Sequence, residues 1–146
     1  QYLQQNGLRG KDPLKRIITW KSKILSTKQV KRGEFVGYGT SFMTSRDMIV
    51  AAVPVGYGYG YSRNLSNQGR VLVHGKRASV IGIVNMNMMI IDINDIPNVE
   101  KGDEVVLIGK QKNQSISVTA FGELSNQPNY ELLTRLPKDL PRNISR

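Results

Sequence analysis

Met48-Ile-Val-Ala-Ala-Val-Pro-Val-Gly-Tyr-Gly-Tyr-Gly-Tyr-Ser-Arg63 carries the two signals from which the rest of the chain can be read. Met48 to Val55 is a nearly continuous apolar run bounded by Asp47 and Gly56, the pattern of a central strand covered on both faces. Pro54 has no backbone N–H to give to a ladder, so pairing should stop there. The turn that follows alternates glycine with tyrosine. Glycine permits positive φ and close backbone approach, while tyrosine joins a rigid apolar ring to a phenol that donates and accepts hydrogen bonds. Three tyrosines in one tight turn, ending on Arg63, point to a site as well as a fold.

Working outward, Ile18, Trp20, Ser22 and Ile24 alternate with Thr19, Lys21, Lys23 and Leu25, a half-buried strand with Trp20 on its core face. Lys31-Arg-Gly-Glu34 is a turn. Phe35 to Met43 then reads as a strand placing Val36, Tyr38, Thr40 and Phe42 on one face. Arg70 to His74 and Ala78 to Val84 form a hairpin-like pair joined through Gly75-Lys76, and Met88 to Ile93 and Glu104 to Gly109 are further strands. The one weak helical signal lies between Ser117 and Asn126, and Tyr130 to Leu136 should close the core before the Pro137/Pro141 tail. Seven or more short strands separated by turns predict a mostly all-β domain: an antiparallel, Greek-key, β-barrel-like fold with one short helix near the C-terminus.

The 146 residues suffice for one core, since a chain of this size buries roughly 68–70% of its unfolded surface. Without cysteine there is no disulfide framework, no thiolate nucleophile and no sulfur-ligated zinc. His74 is the sole histidine, which leaves little for a histidine triad or metal centre; next to Gly75 it reads as an exposed turn residue. Asp92, Asp95 and Asp103 adjoin strand ends and turns, where capping accounts for them without a metal. No stretch approaches the ~20 apolar residues that a membrane helix needs, and the N-terminus lacks a signal-peptide pattern, so the expectation is a cytoplasmic protein.

The net charge of +10 raises the alternative of a non-catalytic basic β-barrel binding nucleic acid or an anionic partner. Against it, the basic residues are spread along the chain, and the aromatics gather in one glycine-rich loop instead of lining a strand face as a base-stacking platform would. The expectation is therefore no nucleic acid.

The ordered set Ile18-Thr-Trp-Lys-Ser-Lys-Ile24, Lys31-Arg-Gly-Glu-Phe-Val-Gly-Tyr-Gly39, Val53-Pro-Val-Gly-Tyr57, Gly75-Lys-Arg-Ala78, Gly82-Ile-Val-Asn-Met-Asn87, Lys101-Gly-Asp-Glu-Val-Val-Leu-Ile-Gly109 and Asn129-Tyr-Glu-Leu-Leu-Thr-Arg135 resembles the C-terminal domain of pyridoxal-phosphate-dependent alanine racemases. Each segment alone is weak; their order covers about nine-tenths of the chain. The resemblance implies residues 14–146 as that domain and 1–13 as a linker or the tail of a preceding barrel. It implies Tyr38 as the catalytic tyrosine, Tyr57 as a tyrosine at the substrate entrance, and Met86 as a residue whose backbone N–H holds the substrate carboxylate. From Val-Gly-Tyr-Gly alone, Tyr38 would read as a core tyrosine on a strand. A free phenol, with a pKa of about 10, is a poor base at neutral pH unless nearby cations lower it.

The same resemblance implies interconversion of L- and D-alanine for peptidoglycan, with a small amino acid as substrate. Pyridoxal 5′-phosphate would be held by an N-terminal (β/α)₈ barrel, which 146 residues cannot contain beside this domain. The chain alone should then be inactive, and its partners are its own barrel domain and a second subunit in a head-to-tail homodimer. It departs from the family pattern where the family carries acidic residues, at Tyr59 and Asn87, and at Asn85, where cysteine is common.

Overall fold

The computed structural model describes residues 17–126 and 129–144; the expected linker at 1–13 lies outside them. Eight strands follow in order: β1 (Trp20–Lys23), β2 (Ser26–Val30), β3 (Met48–Val53), β4 (Arg70–Val73), β5 (Lys76–Ile81), β6 (Met89–Asp92), β7 (Glu104–Gln111) and β8 (Gln114–Ile116). They make one antiparallel sheet in the order β1-β7-β4-β5-β6-β3-β2, with β8 folded back on β7. The mostly-β class therefore holds.

The sheet does not close into a barrel. Its two edges, β1 and β2, follow each other in the chain with only Ile24 and Leu25 between them, and they do not pair with each other. The partner switches within one residue: Ile24 N–H donates to Asp103 O on the β7 side, and Leu25 N–H to Ala52 O on β3. The single alternating strand expected at 18–25 is thus a bent pair serving both edges.

Burial explains the continuous apolar run. Along β3, Ala51 and Val53 enter the main core while Met48 and Val50 enter a second cluster with Val30, Val36 and Ile81 on the opposite face. β4 and β7 divide likewise: Val71, Val73, Val105 and Leu107 face the main core, and Leu72 and Val106 pack with Ile116 of β8. A strand buried on both faces loses its period-two polarity. Between β4 and β5, His74 (φ 53°) and Gly75 (φ 78°) make a left-handed two-residue turn, matching the right-handed strand twist.

The predicted helix is α1 (Val118–Ser125): the Ser117 hydroxyl accepts from Ala120 N–H, and Asn126 ends it in a left-handed conformation. It carries Phe121 into contact with Trp20 and Tyr61, whose ring centroids lie 6.3 and 5.1 Å away. A second short helix, α2 (Asn129–Arg135), occupies the segment expected to close the core and buries Leu132 there.

Candidate functional site

Three loops meet at one end of the sheet. The first follows β3, which stops at Val53 because Pro54 cannot donate. Tyr57–Tyr59 then winds into one 3₁₀ turn capped by Gly60 at φ 95°. Its tyrosines do not act together. Tyr57 is exposed, Tyr59 half-buried against the core, and Tyr61 fully buried beside Trp20 and Phe121. Burial pushes the Tyr61 phenol well above the ordinary tyrosine value, with Arg70 offsetting this only in part, so it keeps its proton at neutral pH. Its hydroxyl has no hydrogen-bond partner among the described residues.

The second loop, 82–88, is pinned to the first. Tyr57 N–H donates to Asn85 O at 3.0 Å and Gly58 N–H to Met86 O at 2.9 Å. The approach is so close that a Cβ on Gly56 would sit 1.9 Å from the Asn85 carbonyl oxygen. Asn85 N–H turns back to Met88 O, leaving the Met86 side chain exposed. Among the described residues no group accepts from Met86 N–H.

The third loop corrects an expectation. Residues 35–43 are not a strand but an irregular hairpin: Phe35 and Met43 bridge at its base, and Val36 N–H donates to Phe42 O. Gly37, Gly39 and Thr40 at its tip have φ of 81°, 74° and 51°, and left-handed residues cannot continue a pleated strand. The expected common face dissolves: Val36 is buried, while Tyr38 is 70% exposed. Tyr38 is instead held by its backbone, which bridges antiparallel to Ile83.

Segment 83–86 therefore gathers all three predicted residues. Tyr38 rests on Ile83, Tyr57 hangs from Asn85, and Met86 follows; three residues of chain span at most about 10 Å. None of the three side chains is buried. What they offer is two exposed phenols and one backbone donor, a set suited to a small anion and to proton transfer. Three residues that the sequence reading passed over brace this end: Ser41, Ser66 and Asn67 each accept from a backbone N–H at 82–84. The available signal was Ser66-Asn67 before a glycine, a pairing of side-chain acceptors with a turn.

Several charged side chains pair on the surface away from this end. Lys21–Glu104 (2.8 Å) and Lys31–Asp47 (2.9 Å) are ion pairs, and His74 Nε2 shares a hydrogen bond with Asp103 Oδ2 at 2.8 Å, making His74 a turn residue with a partner. Asp92 and Asp103 accept from the N–H groups of Asn94 and Glu100, as turn caps. No group of three or more histidine, aspartate or glutamate side chains among the described residues could hold a metal, and no described helix is long and apolar enough to cross a membrane.

The family model for the alanine racemase C-terminal domain matches residues 17–144. The alanine racemase of Halothermothrix orenii is 46% identical over 129 residues, covering 88% of this chain and 34% of that protein. Among solved structures, alanine racemase from Bartonella henselae, with covalently bound pyridoxal phosphate, superposes with a TM-score of 0.81 at 31% identity, over 89% of this chain and 35% of that one. The Bacillus anthracis enzyme with bound L-Ala-P gives 0.76 at 34% identity, over 82% and 30%. The chain thus spans about a third of the length of the relatives it matches. On sequence and fold together, it belongs to the alanine racemase C-terminal domain family.

Proposed function

We propose that this chain is the part of an alanine racemase that supplies a proton-transfer phenol and a carboxylate-binding amide to an active site completed by another segment. The observation that carries the reading is Tyr38: the residue is 70% exposed, yet its backbone is fixed beside the loops bearing Tyr57 and Met86. A phenol built for packing would be buried, as Tyr61 is.

The residues present do not suit pyridoxal phosphate itself. Every described lysine is exposed, and Lys31, which borders a groove with Asp47, is held protonated by that carboxylate. A Schiff-base lysine needs the reverse, a desolvated amine. The cofactor accordingly belongs to an N-terminal (β/α)₈ barrel in the same polypeptide, with residues 14–146 as the domain that reaches a second subunit in a head-to-tail homodimer. When bound, the cofactor acts as an electron sink for a carbanion.

Inverting an α-carbon requires proton groups on both faces, and Tyr38 serves one of them. Its phenolate takes the α-proton from one enantiomer while a group on the opposite face gives the proton that forms the other; in the reverse direction the Tyr38 phenol gives its proton to re-form the first. Met86 N–H, which has no acceptor among the described residues, holds the substrate carboxylate as a rigid, already oriented donor. Tyr57, anchored through its own N–H to Asn85 O, narrows the entrance to small amino acids. The product would be D-alanine for peptidoglycan.

The test uses the full-length polypeptide with its barrel. α-Proton exchange is followed on L- and D-alanine for the wild type and Tyr38→Phe. Exchange should be lost in at least one direction with cofactor still bound; unchanged rates both ways would remove Tyr38 from the mechanism.

A further inference from the structure

Tyr38 poses a mechanical problem. Its ring is mostly in solvent and lies between two glycines in left-handed conformations, so packing cannot position it. The hairpin tip must be held through its backbone, and the hydrogen bonds around residues 82–84 show how. β5 ends at Ile81, and Gly82, Ile83 and Val84 present three successive N–H groups that need partners. Each is met by a side chain from another loop: Gly82 N–H donates to Asn67 Oδ1 at 2.6 Å, Ile83 N–H to Ser41 Oγ at 3.0 Å and Val84 N–H to Ser66 Oγ at 3.0 Å.

These acceptors are tied to the hairpin in turn. The Ser41 hydroxyl donates to Tyr38 O at 3.4 Å, and Asn67 Nδ2 donates to Ser41 O at 3.5 Å. Asn67 adopts φ 58°, a conformation that asparagine tolerates better than most residues. Gly82 completes the fit, since a Cβ there would meet Val36 O at 2.8 Å. Ser41 and Asn67 therefore bolt the tip of the 35–43 hairpin to the segment that leads into Met86.

We infer that Ser41 and Asn67 are positioning residues for the Tyr38 phenol, fixing its hairpin on residues 82–84 so that an exposed group keeps a defined place. The inference rests on the proton-transfer role proposed for Tyr38. A displacement of about 1 Å at a reacting group can cost on the order of 10²-fold in rate, so a bracket of this kind has a kinetic consequence beyond stability.

The experiment compares Asn67→Gly, Asn67→Asp, Ser41→Ala and Tyr38→Phe in the full-length polypeptide. Glycine keeps the left-handed backbone while deleting the amide; aspartate keeps the acceptor for Gly82 N–H. Asn67→Gly and Ser41→Ala should each lower kcat for α-proton exchange by about tenfold or more, in the direction that Tyr38→Phe affects, with KM within about threefold. Asn67→Asp should recover only part of the lost rate, because it keeps the acceptor for Gly82 N–H but lacks the donor to Ser41 O. Independently of activity, amide hydrogen exchange measured by mass spectrometry should speed up at 36–42 and 81–85 in Asn67→Gly while β4 and β7 stay protected. If Tyr38→Phe abolishes exchange but Asn67→Gly and Ser41→Ala leave kcat unchanged, the positioning inference is overturned and the role of Tyr38 stands. If Tyr38→Phe is itself silent, the proton-transfer reading falls and takes this inference with it.

Discussion

Gly56→Ala is the sharpest probe of the site's construction. Gly56 has φ −142° and ψ −162°, an extended backbone open to any residue, so conformation does not demand glycine there. Space does. An added Cβ would lie 1.9 Å from Asn85 O, 2.5 Å from Met86 O and 2.6 Å from Met86 C, all backbone atoms that no rotamer change can move. Reaching an ordinary contact of roughly 3.5 Å means parting the loops by about 1.6 Å. That separation breaks the Tyr57 N–H bond to Asn85 O and the Gly58 N–H bond to Met86 O. Two backbone pairs left unsatisfied at about 1–3 kcal/mol each give an expected loss of about 3 kcal/mol. Gly33→Ala is the control: nothing lies within 4 Å of its Cβ position, and only the φ of 86° opposes alanine, at about 1–2 kcal/mol. Equilibrium urea unfolding of both variants, with hydrogen exchange across 84–88, is the assay. Gly56→Ala should be the more destabilised and should alone speed exchange at 84–88. A Gly56→Ala protein at least as stable as Gly33→Ala, with that segment unchanged, would refute the claim that the two loops are locked by close approach.

Tyr61→Phe should leave the unfolding midpoint unchanged or raise it, because the hydroxyl is buried without a partner among the described residues; a loss above about 1 kcal/mol would show that it is satisfied. Ser117→Ala removes the side-chain cap of α1 and should cost about 1 kcal/mol in the same urea experiment, while an unchanged midpoint would mean that Phe121 packing alone holds the helix. The carboxyls of Asp47, Asp103 and Glu104 are all held below their ordinary values. The first cause is the Arg32 N–H for Asp47, the Glu100 N–H for Asp103 and the Lys21 ammonium for Glu104. Folded pKa values below the unfolded ones mean stability present above about pH 4 and lost as pH falls through the folded values. Asp103→Asn, which keeps an acceptor but no charge, should flatten that acid limb in thermal melts from pH 6 to 2; an unaltered limb would remove Asp103 from it.

Most of the fold could be read from residues 48–55 and the alternating segments around them, because a strand buried on one face or both leaves a periodic trace in composition. Turn chemistry was equally plain at Pro54, while the hairpin expected through Gly75-Lys76 turns one residue earlier, at His74-Gly75, with Lys76 already in β5. The misreadings fall where local pattern and tertiary need diverge. Val36, Tyr38, Thr40 and Phe42 alternate like a strand, yet Gly37 and Gly39 take left-handed conformations that only the contacts with Gly82 and Ile83 make worthwhile. β8 was missed because three residues, Gln114–Ile116, carry too little periodicity to register. Three tyrosines at 57, 59 and 61 look equivalent along the chain, and only packing sends one to solvent, one halfway and one into the core. Sequence by itself thus determined the class, the strand order's raw material and the family, since these depend on composition, period and motif order. The tertiary structure alone decided the open sheet, the exposure of Tyr38 and the bracing of residues 82–84 by Ser41, Ser66 and Asn67. Those features arise from contacts between residues 15 or more positions apart, which no local window of residues encodes.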